Sequence, residues 1–391
     1  MVSRLCSFSF LFFLLSFFAG SAYASNIVEI TVDEIGIPFV LDDEGQVWGF
    51  RKPYSLEEPI KLSNLNHIKK IAPYIAVDTE GRVFTWSIDD AEVETVEGEI
   101  TEAGYTTPQR FGDMKGVTLV AHSMNHFFAV INNQEIVEWL IIRKENKPGG
   151  GFGVEGYGPI KKIISSPGVK AIAAAPGTMA RIVAEPAPYG LVALFDDGTV
   201  MGWGISSSGQ IVKDANTPSI LLTKSPGAVG IAMNDFHTVI LSAQGVPQFW
   251  GGCDLYGRDG NGGHPWTHGS VHGAEGYVAD VIGMAIAQDI NIGVAGGWGN
   301  DNGTPDVFIK RDGTVWIAYA PIPENTPNFD CGQYKTANPR QAVQVSAGKA
   351  IAVQVATARG FIFMLDADHK LWTTPSNLMV TKFSNVPLNI K

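Results

Sequence analysis

The sequence predicts an all-β fold, a ring of repeated four-stranded units, and three observations carry that prediction. First, 44 Gly and 22 Pro accompany 45% hydrophobic residues, while only 17% of the 391 residues are charged. That composition suits short strands joined by tight turns, and it excludes intrinsic disorder and a coiled coil. Second, one phrase recurs seven times: an apolar strand, a polar turn usually containing Gly, and a second apolar strand with a Trp three or five residues past the Gly position. Third, Glu44-Gly45, Asp197-Gly198 and Asp312-Gly313 within those phrases are tight-hairpin dipeptides, because Gly takes positive φ without penalty and Asp bonds its own backbone.

Taken in order, the chain opens with a segment that stands apart from the fold. Arg4 is the only charge in the first 24 residues, Leu11 to Phe18 is apolar, and Ala22-Tyr23-Ala24 supplies the small residues that a signal peptidase accepts. Cleavage is expected before Ser25, leaving residues 25–391 as a single exported domain, periplasmic or extracellular. The apolar run is shorter than the roughly 20 residues that span a bilayer, so no membrane anchor is expected. The mature chain carries 27 Lys and Arg against 39 Asp and Glu, net −12. Such a surface repels nucleic acid and anionic lipid.

The seven phrases follow. They are centred on Gly45 with Trp48, Gly81 with Trp86, Gln134 with Trp139, Gly198 with Trp203, Gly245 with Trp250, Gly313 with Trp316 and His369 with Trp372. Their turns lie 36, 53, 64, 47, 68 and 56 residues apart, room for four short strands each. Before each hairpin the reading places a strand such as Val169 to Ala174 or Val229 to Met233. Earlier still comes one such as Ile160 to Ile164 or Ile220 to Leu222, across the Ser-Pro-Gly turns at Ser166 and Ser225. A lone four-stranded blade leaves both faces wet, so the units must pack face to face around an axis, giving a seven-bladed β-propeller. On this framing only Ile27 to Ile30 precedes the first hairpin, and Leu378 to Phe383 is left over after the last. The C-terminal strand is therefore expected to close the ring by joining the N-terminal blade.

The stretches Thr238-Val239-Ile240-Leu241-Ser242-Ala243-Gln244-Gly245 through Phe249-Trp250-Gly251-Gly252, and Leu194-Phe195-Asp196-Asp197-Gly198-Thr199-Val200-Met201-Gly202-Trp203-Gly204 followed by Ser208-Gly209-Gln210, carry a family likeness. The chain from 26 to 391 resembles the regulator of chromosome condensation repeat family, as an exported bacterial-type member. Phrases three and seven depart from it, with Asn132-Asn133-Gln134-Glu135 and Asp368-His369-Lys370 at the turn. The resemblance implies a seven-bladed propeller whose ends share a blade, and protein binding more than chemistry. Relatives include a nuclear exchange factor for a small GTPase, ubiquitin-ligase modules and secreted inhibitors of β-lactamases.

In such a ring every connection after the Trp strand, and every connection entering the hairpin, lies on one face. The long insertions all fall there: Ser87 to Thr107, Arg143 to Gly158, Pro176 to Gly190, Gly251 to Gly276, Gly296 to Asp306 and Ala318 to Pro339. Connections longer than about 12 to 15 residues are usually functional or disordered. Seven of the nine Trp residues occupy the phrase and read as packing between blades. Trp266 and Trp298 do not, and with Tyr256, Tyr319 and Tyr334 they are candidate binding anchors, the alternative being a satellite core under the loops. Cys253 and Cys331, the two cysteines of the mature chain, are expected to form a disulfide between same-face loops of neighbouring blades.

His264, His268 and His272, with Asp254 and Asp259, supply metal-type ligands. The intervening glycines preclude the helix that would align the histidines, so surface histidines compete with a divalent-metal site. Gly299-Asn300-Asp301-Asn302-Gly303 resembles part of a calcium loop but lacks the distal bidentate Glu. The acidic run Asp89, Asp90, Glu92, Glu94, Glu97, Glu99 and Glu102 reads as a solvated loop, with a basic partner as the sharper alternative. No hydrolase elbow, phosphate loop, metalloprotease helix or Cys-X-X-Cys pair occurs. The sequence therefore points to a monomeric, cofactor-free, non-enzymatic protein-binding propeller. A carbohydrate-binding or cell-surface module and an exported glycan-active enzyme are the alternatives.

Overall fold

The computed structural model describes residues 25–33, 36–89, 95–96, 99–100, 104–123, 126–143, 154–175, 190–204, 211, 219–222, 227–233, 237–251, 279–286, 306–319, 341–345, 348–358, 361–374 and 384–385. They form a seven-bladed β-propeller. Blade one holds β1 (Ile27–Val32), β2 (Pro38–Asp42), β3 (Val47–Phe50) and β4 (Pro59–Lys61). Blade two begins with β5 (Ile68–Ala72), β6 (Ile75–Asp78) and β7 (Val83–Thr85). Its insertion carries β8 (Ile88–Asp89), β9 (Thr95–Val96), β10 (Glu99–Ile100) and β11 (Gly104–Tyr105), and β12 (Gln109–Arg110) completes the blade on β7. Blade three holds β13 (Val117–Ser123), β14 (His126–Ile131) and the long β15 (Glu135–Arg143). That strand pairs with β16 (Val154–Tyr157) at its far end and β17 (Lys161–Ser165) at its near end.

Blade four is β18 (Val169–Ala174), β19 (Gly190–Phe195), β20 (Val200–Gly204) and β21 (Ser219–Leu222). Blade five contributes β22 (Ala228–Met233), β23 (His237–Ser242) and β24 (Pro247–Gly251) among the described residues. Blade six is β25 (Val281–Ile286), β26 (Asp306–Lys310), β27 (Val315–Tyr319) and β28 (Gln341–Val345). Blade seven is β29 (Ala352–Ala358), β30 (Phe361–Asp366), β31 (Leu371–Thr373) and β32 (Ser384–Asn385). All pairings are antiparallel. The first strands β1, β5, β13, β18, β22, β25 and β29 touch in that order, and β29 returns to β1, so these seven ring the axis. No helix among the described residues is long and apolar enough to cross a membrane.

The second strand of each blade is buried on both faces between neighbouring blades. This is why Pro38–Asp42, Ile75–Asp78 and Gly190–Phe195 are buried throughout and read as continuous rather than alternating apolar runs. Every first strand carries a register shift at its second residue: Val28, Lys69, Thr118, Lys170, Val229, Ile282 and Val353. One bulge per blade, always in the same place, adds twist where the strand leaves the crossover.

Two expectations about strand bookkeeping are corrected. The strand before each Ser-Pro-Gly turn belongs to the preceding blade: Lys161–Ser165 pairs with β15 and Ser219–Leu222 with β20. The turn is a crossover between blades, not a hairpin, because the strand leaving the Trp phrase folds straight back on it. With the frame moved by one strand, blade one is complete in chain order, and Ser384–Asn385 pairs with β31 of its own blade. Blade one therefore does not lack an outer strand, and the strand expected at 378–383 lies outside the described residues. Closure is made by contacts across a seam instead. Gln354 in β29 accepts from the N–H of Ile30 at 3.1 Å and donates to its carbonyl at 2.9 Å, and His369 Nδ1 lies 2.9 Å from the Ile27 carbonyl.

The hairpin turns have a second duty. The carbonyls of Gly45, Gly81, Gly198, Gly245 and Gly313 each accept the N–H that opens the next first strand, at Ile68, Val117, Ala228, Val281 and Ala352, over 3.0 to 3.1 Å. At Gly81, with φ +77°, a Cβ would lie 2.6 Å from Gly116 N. In blade three Asn133, at φ 54°, takes this role and accepts from both Gly168 and Val169. Asn is the side chain that best tolerates that backbone region, so the degenerate phrase keeps its geometry.

Candidate interaction face

The antiparallel order puts the connections from β1 to β2 and from β3 to β4 at one rim of the disc, and likewise in the other blades with four described strands. The insertions therefore share a face, and the Gly turns and crossovers share the opposite one. Two insertions have described structure. In blade two, Ile88–Asp89 pairs with Gly104–Tyr105, and beyond it Thr95–Val96 pairs with Glu99–Ile100. Of the acidic run, Asp89 lies in β8 and Glu99 in β10, while Asp90, Glu92, Glu94, Glu97 and Glu102 lie outside the described residues. In blade three, β15 runs on past its blade and Ile141–Arg143 pairs with β16.

Each ribbon is anchored at its returning end by a tyrosine. The Tyr105 ring packs 5.6 Å from Phe39, within a cluster in which Phe39 also meets Tyr74 at 5.2 Å and Trp86 at 5.7 Å. Its hydroxyl donates to the Phe50 carbonyl. Burial, with the Asp33 charge in second place, pushes that hydroxyl well above the usual tyrosine range, so it remains a neutral donor. Gly49 is required beneath it, since a Cβ there would stand 2.8 Å from the ring. Tyr157 packs against Phe111 at 5.1 Å, which in turn stacks on Trp139 at 4.8 Å. Burial raises Tyr157 as well, opposed by a hydrogen bond with Thr85.

The junctions beside these ribbons are closed by polar pairs. Asp33, 3% exposed, accepts from Ile37 N at 2.7 Å and from the Tyr74 hydroxyl. Tyr54 stacks on Phe361 at 4.3 Å across the seam. These groups bond to one another inside the rim and fix the roots of the insertions. Among the described residues, no three His, Cys, Asp or Glu side chains lie close enough to hold a metal ion.

Of the residues singled out from the sequence, Tyr319 ends β27, its backbone paired with Gln341 of β28 at the insertion-face rim of blade six. Trp266, Trp298, Tyr256, Tyr334, His264, His268, His272, Cys253 and Cys331 lie outside the described residues. Trp48, Trp86, Trp139 and Trp203 are buried, as inter-blade packing requires. Tyr105, Tyr157 and Asp33 were not singled out. The signal for the two tyrosines was their position at the end of an insertion, immediately before the chain re-enters its blade.

No family model matches the chain, and no curated protein matches it by sequence. Solved structures do match in fold. Prp20p from Saccharomyces cerevisiae, described with its binding properties to Gsp1p and histones, is 15% identical with a TM-score of 0.51, covering 85% of this chain and 80% of that one. Human WBSCR16 is 15% identical with a TM-score of 0.51, covering 85% of each chain. Yeast RCC1 (Prp20) bound to Kap60 is 14% identical with a TM-score of 0.46, covering 93% of this chain and 75% of that one. At these identities the likeness is one of fold, the ring of seven blades.

Proposed function

We propose that the protein is an exported, non-enzymatic propeller that binds another protein on its insertion face. The observation that supports this reading most strongly is the gathering of the long connections on one face, with both described ones built as ribbons rooted by partly buried tyrosines. Rigid roots lower the ordering cost of binding, which suits recognition. The fold neighbours fit it: Prp20p is described with its binding to Gsp1p and histones. The leader before Ser25 carries the exported part, and the net acidic surface argues against nucleic acid. In this reading Trp266, Trp298, Tyr256, Tyr319 and Tyr334 anchor the partner, and Cys253 and Cys331 tie two insertions together by a disulfide.

Affinity capture from periplasmic and culture fractions tests it, comparing the mature chain with Trp266→Ala and Trp298→Ala. A buried aromatic anchor is worth about 2 kcal/mol or more, roughly thirtyfold in affinity, so each variant should lose its partner while unfolding at the wild-type midpoint. Variants that bind normally but unfold early would place both tryptophans in a loop core and overturn the assignment. Thiol titration of the denatured, unreduced chain decides the disulfide.

A further inference from the structure

At each of the seven hairpins the residue just before the first strand accepts from the N–H of the same turn residue: His67 from Thr79, Gly116 from Asn132, Gly168 from Asp196, Gly227 from Ala243, Asp280 from Arg311 and Ile351 from Ala367. In blade one Asn26 accepts from Asp43 at 2.8 Å. Six of these residues are the last link of a crossover arriving from the preceding blade. Asn26 has no crossover behind it; its chain comes from Ser25 and the apolar leader.

The same place is also acidic. The two residues that end the second strand and start the turn are Asp42 and Asp43 in blade one. Elsewhere they are Asp78-Thr79, Ile131-Asn132, Phe195-Asp196, Ser242-Ala243, Lys310-Arg311 and Asp366-Ala367. Adjacent aspartates occur in the turns of blade one and of blade four (Asp196-Asp197), but in blade one they hold residues that enter the ring without a crossover. Ser25 Oγ donates to Asp42 Oδ2 at 3.0 Å, while Asn26 donates its backbone N–H to Asp43 Oδ1 at 3.1 Å and its side-chain amide to Asp43 Oδ2 at 2.9 Å. A residue's own nitrogen lies within about 4 Å of its γ-oxygen, so Ser25 N lies within about 7 Å of the Asp42 carboxylate.

We propose that hydrolysis of the Ala24–Ser25 bond creates an α-ammonium that docks on the Asp42–Asp43 carboxylates and latches the chain entry at the ring's seam. The proposal rests on the exported reading above. Water, delivered by a leader peptidase, breaks the amide C–N bond; Ala24 leaves with a carboxylate and Ser25 keeps the nitrogen, protonated at neutral pH. An uncut chain has a neutral amide there, so the charge pairing exists only after processing. Other titratable groups nearby include Glu44 in the same turn, His67, whose backbone lies against Gly45, and His369, which reaches Ile27 from blade seven.

The test uses the full chain expressed with its own leader and recovered from the exported fraction. Its intact mass should be that of residues 25–391. The α-amine, titrated by the pH dependence of its acylation, should lose its proton about half a pH unit or more higher in the wild type than in Asp43→Asn. Acetylating that amine should lower the urea midpoint of the wild type by more than it lowers that of Asp43→Asn. An uncut chain overturns the exported reading and the latch together. A cut at another bond, or one at Ser25 with the same amine titration in both proteins, overturns the latch alone.

Discussion

Replacing Gln354 by Leu tests whether the ring is held shut by a side chain acting as a strand. Gln354 bonds both backbone groups of Ile30 across the seam between blades seven and one, at 3.1 and 2.9 Å, where no covalent crossover links the blades. Leu keeps the volume and leaves both groups unmade. A buried backbone group without its partner costs about 1–3 kcal/mol, and Gln354 is partly exposed, so water offsets some of it. The expected loss is about 2–4 kcal/mol, well above the average of about 1 kcal/mol for a point change. Gln354→Glu retains the acceptor for Ile30 N–H but sets a carboxylate against its carbonyl, and should fall between. Urea unfolding measures the loss, and native-state hydrogen exchange locates it: the Ile30 amide should exchange faster while amides in blades three and four do not. Gln344→Leu, at an exposed glutamine of β28, should change stability by no more than about 0.5 kcal/mol. A Gln354→Leu protein with wild-type midpoint and wild-type exchange at Ile30 would show that packing alone closes the ring.

Three further outcomes are expected. Gly81→Ala forces a Cβ to 2.6 Å from backbone and breaks the bond to Val117, costing about 2–5 kcal/mol by urea unfolding, whereas Gly112→Ala, with positive φ but open space, should cost about 1–2 kcal/mol. Glu29 is held above its ordinary value by burial, despite Lys70 at 2.5 Å and the N–H of Ile71. Its contribution is therefore fully present below the unfolded value near pH 4 and is lost as pH rises through the folded value, so the stability of Glu29→Gln should rise relative to the wild type from about pH 4 upward; a variant that instead falls further behind the wild type over that range would mean Lys70 outweighs burial. Deleting residues 375–391 should unprotect the amides of β31 in hydrogen exchange and leave blade one protected, the reverse of what a shared blade requires.

The hairpins were legible because their chemistry is local. Asp42 illustrates it: Oδ1 accepts from Glu44 and Gln46, Oδ2 from Trp48 Nε1 at 3.1 Å, and Asp366 repeats the set through Trp372 at 2.8 Å. A carboxylate six residues before a tryptophan marks the turn without any distant partner. The blade frame was not legible, since Ser-Pro-Gly bends the chain equally well into a hairpin or a crossover, and the choice is made by Asn133, whose carbonyl receives Gly168 and Val169. Nor were the roots of the insertions. Tyr105 and Tyr157 look like any loop tyrosine until Phe39 and Phe111 are brought beneath them, from 66 and 46 residues upstream. The face bearing the insertions was legible because antiparallel alternation fixes it whichever frame is used.

That asymmetry between faces has a steric cause, and it sets the last prediction. On the turn face each hairpin is pressed against the next crossover: a Cβ on Gly45, Gly198 or Gly245 would stand 2.9 Å from backbone of the following blade, and the turn carbonyls are already bonded there. Added residues have nowhere to go without opening the junction. On the other face the described connections of blades two and three leave their blades as ribbons, and length there is limited by closure entropy, which rises by about 0.6 kcal/mol per doubling. Lengthening the Gly198 turn by two residues should therefore cost about 3 kcal/mol or more, through loss of the Ala228 bond and of the packing behind it. Replacing residues 90–103 by Asn-Gly should cost almost nothing, because Asp89 and Gly104 are already paired and a two-residue turn closes them, while Tyr105 keeps its place on Phe39. Urea unfolding of the two variants compares them directly. Equal losses would mean that the ribbon is part of the core, and that the insertion face is no freer to vary than the face where the blades lock.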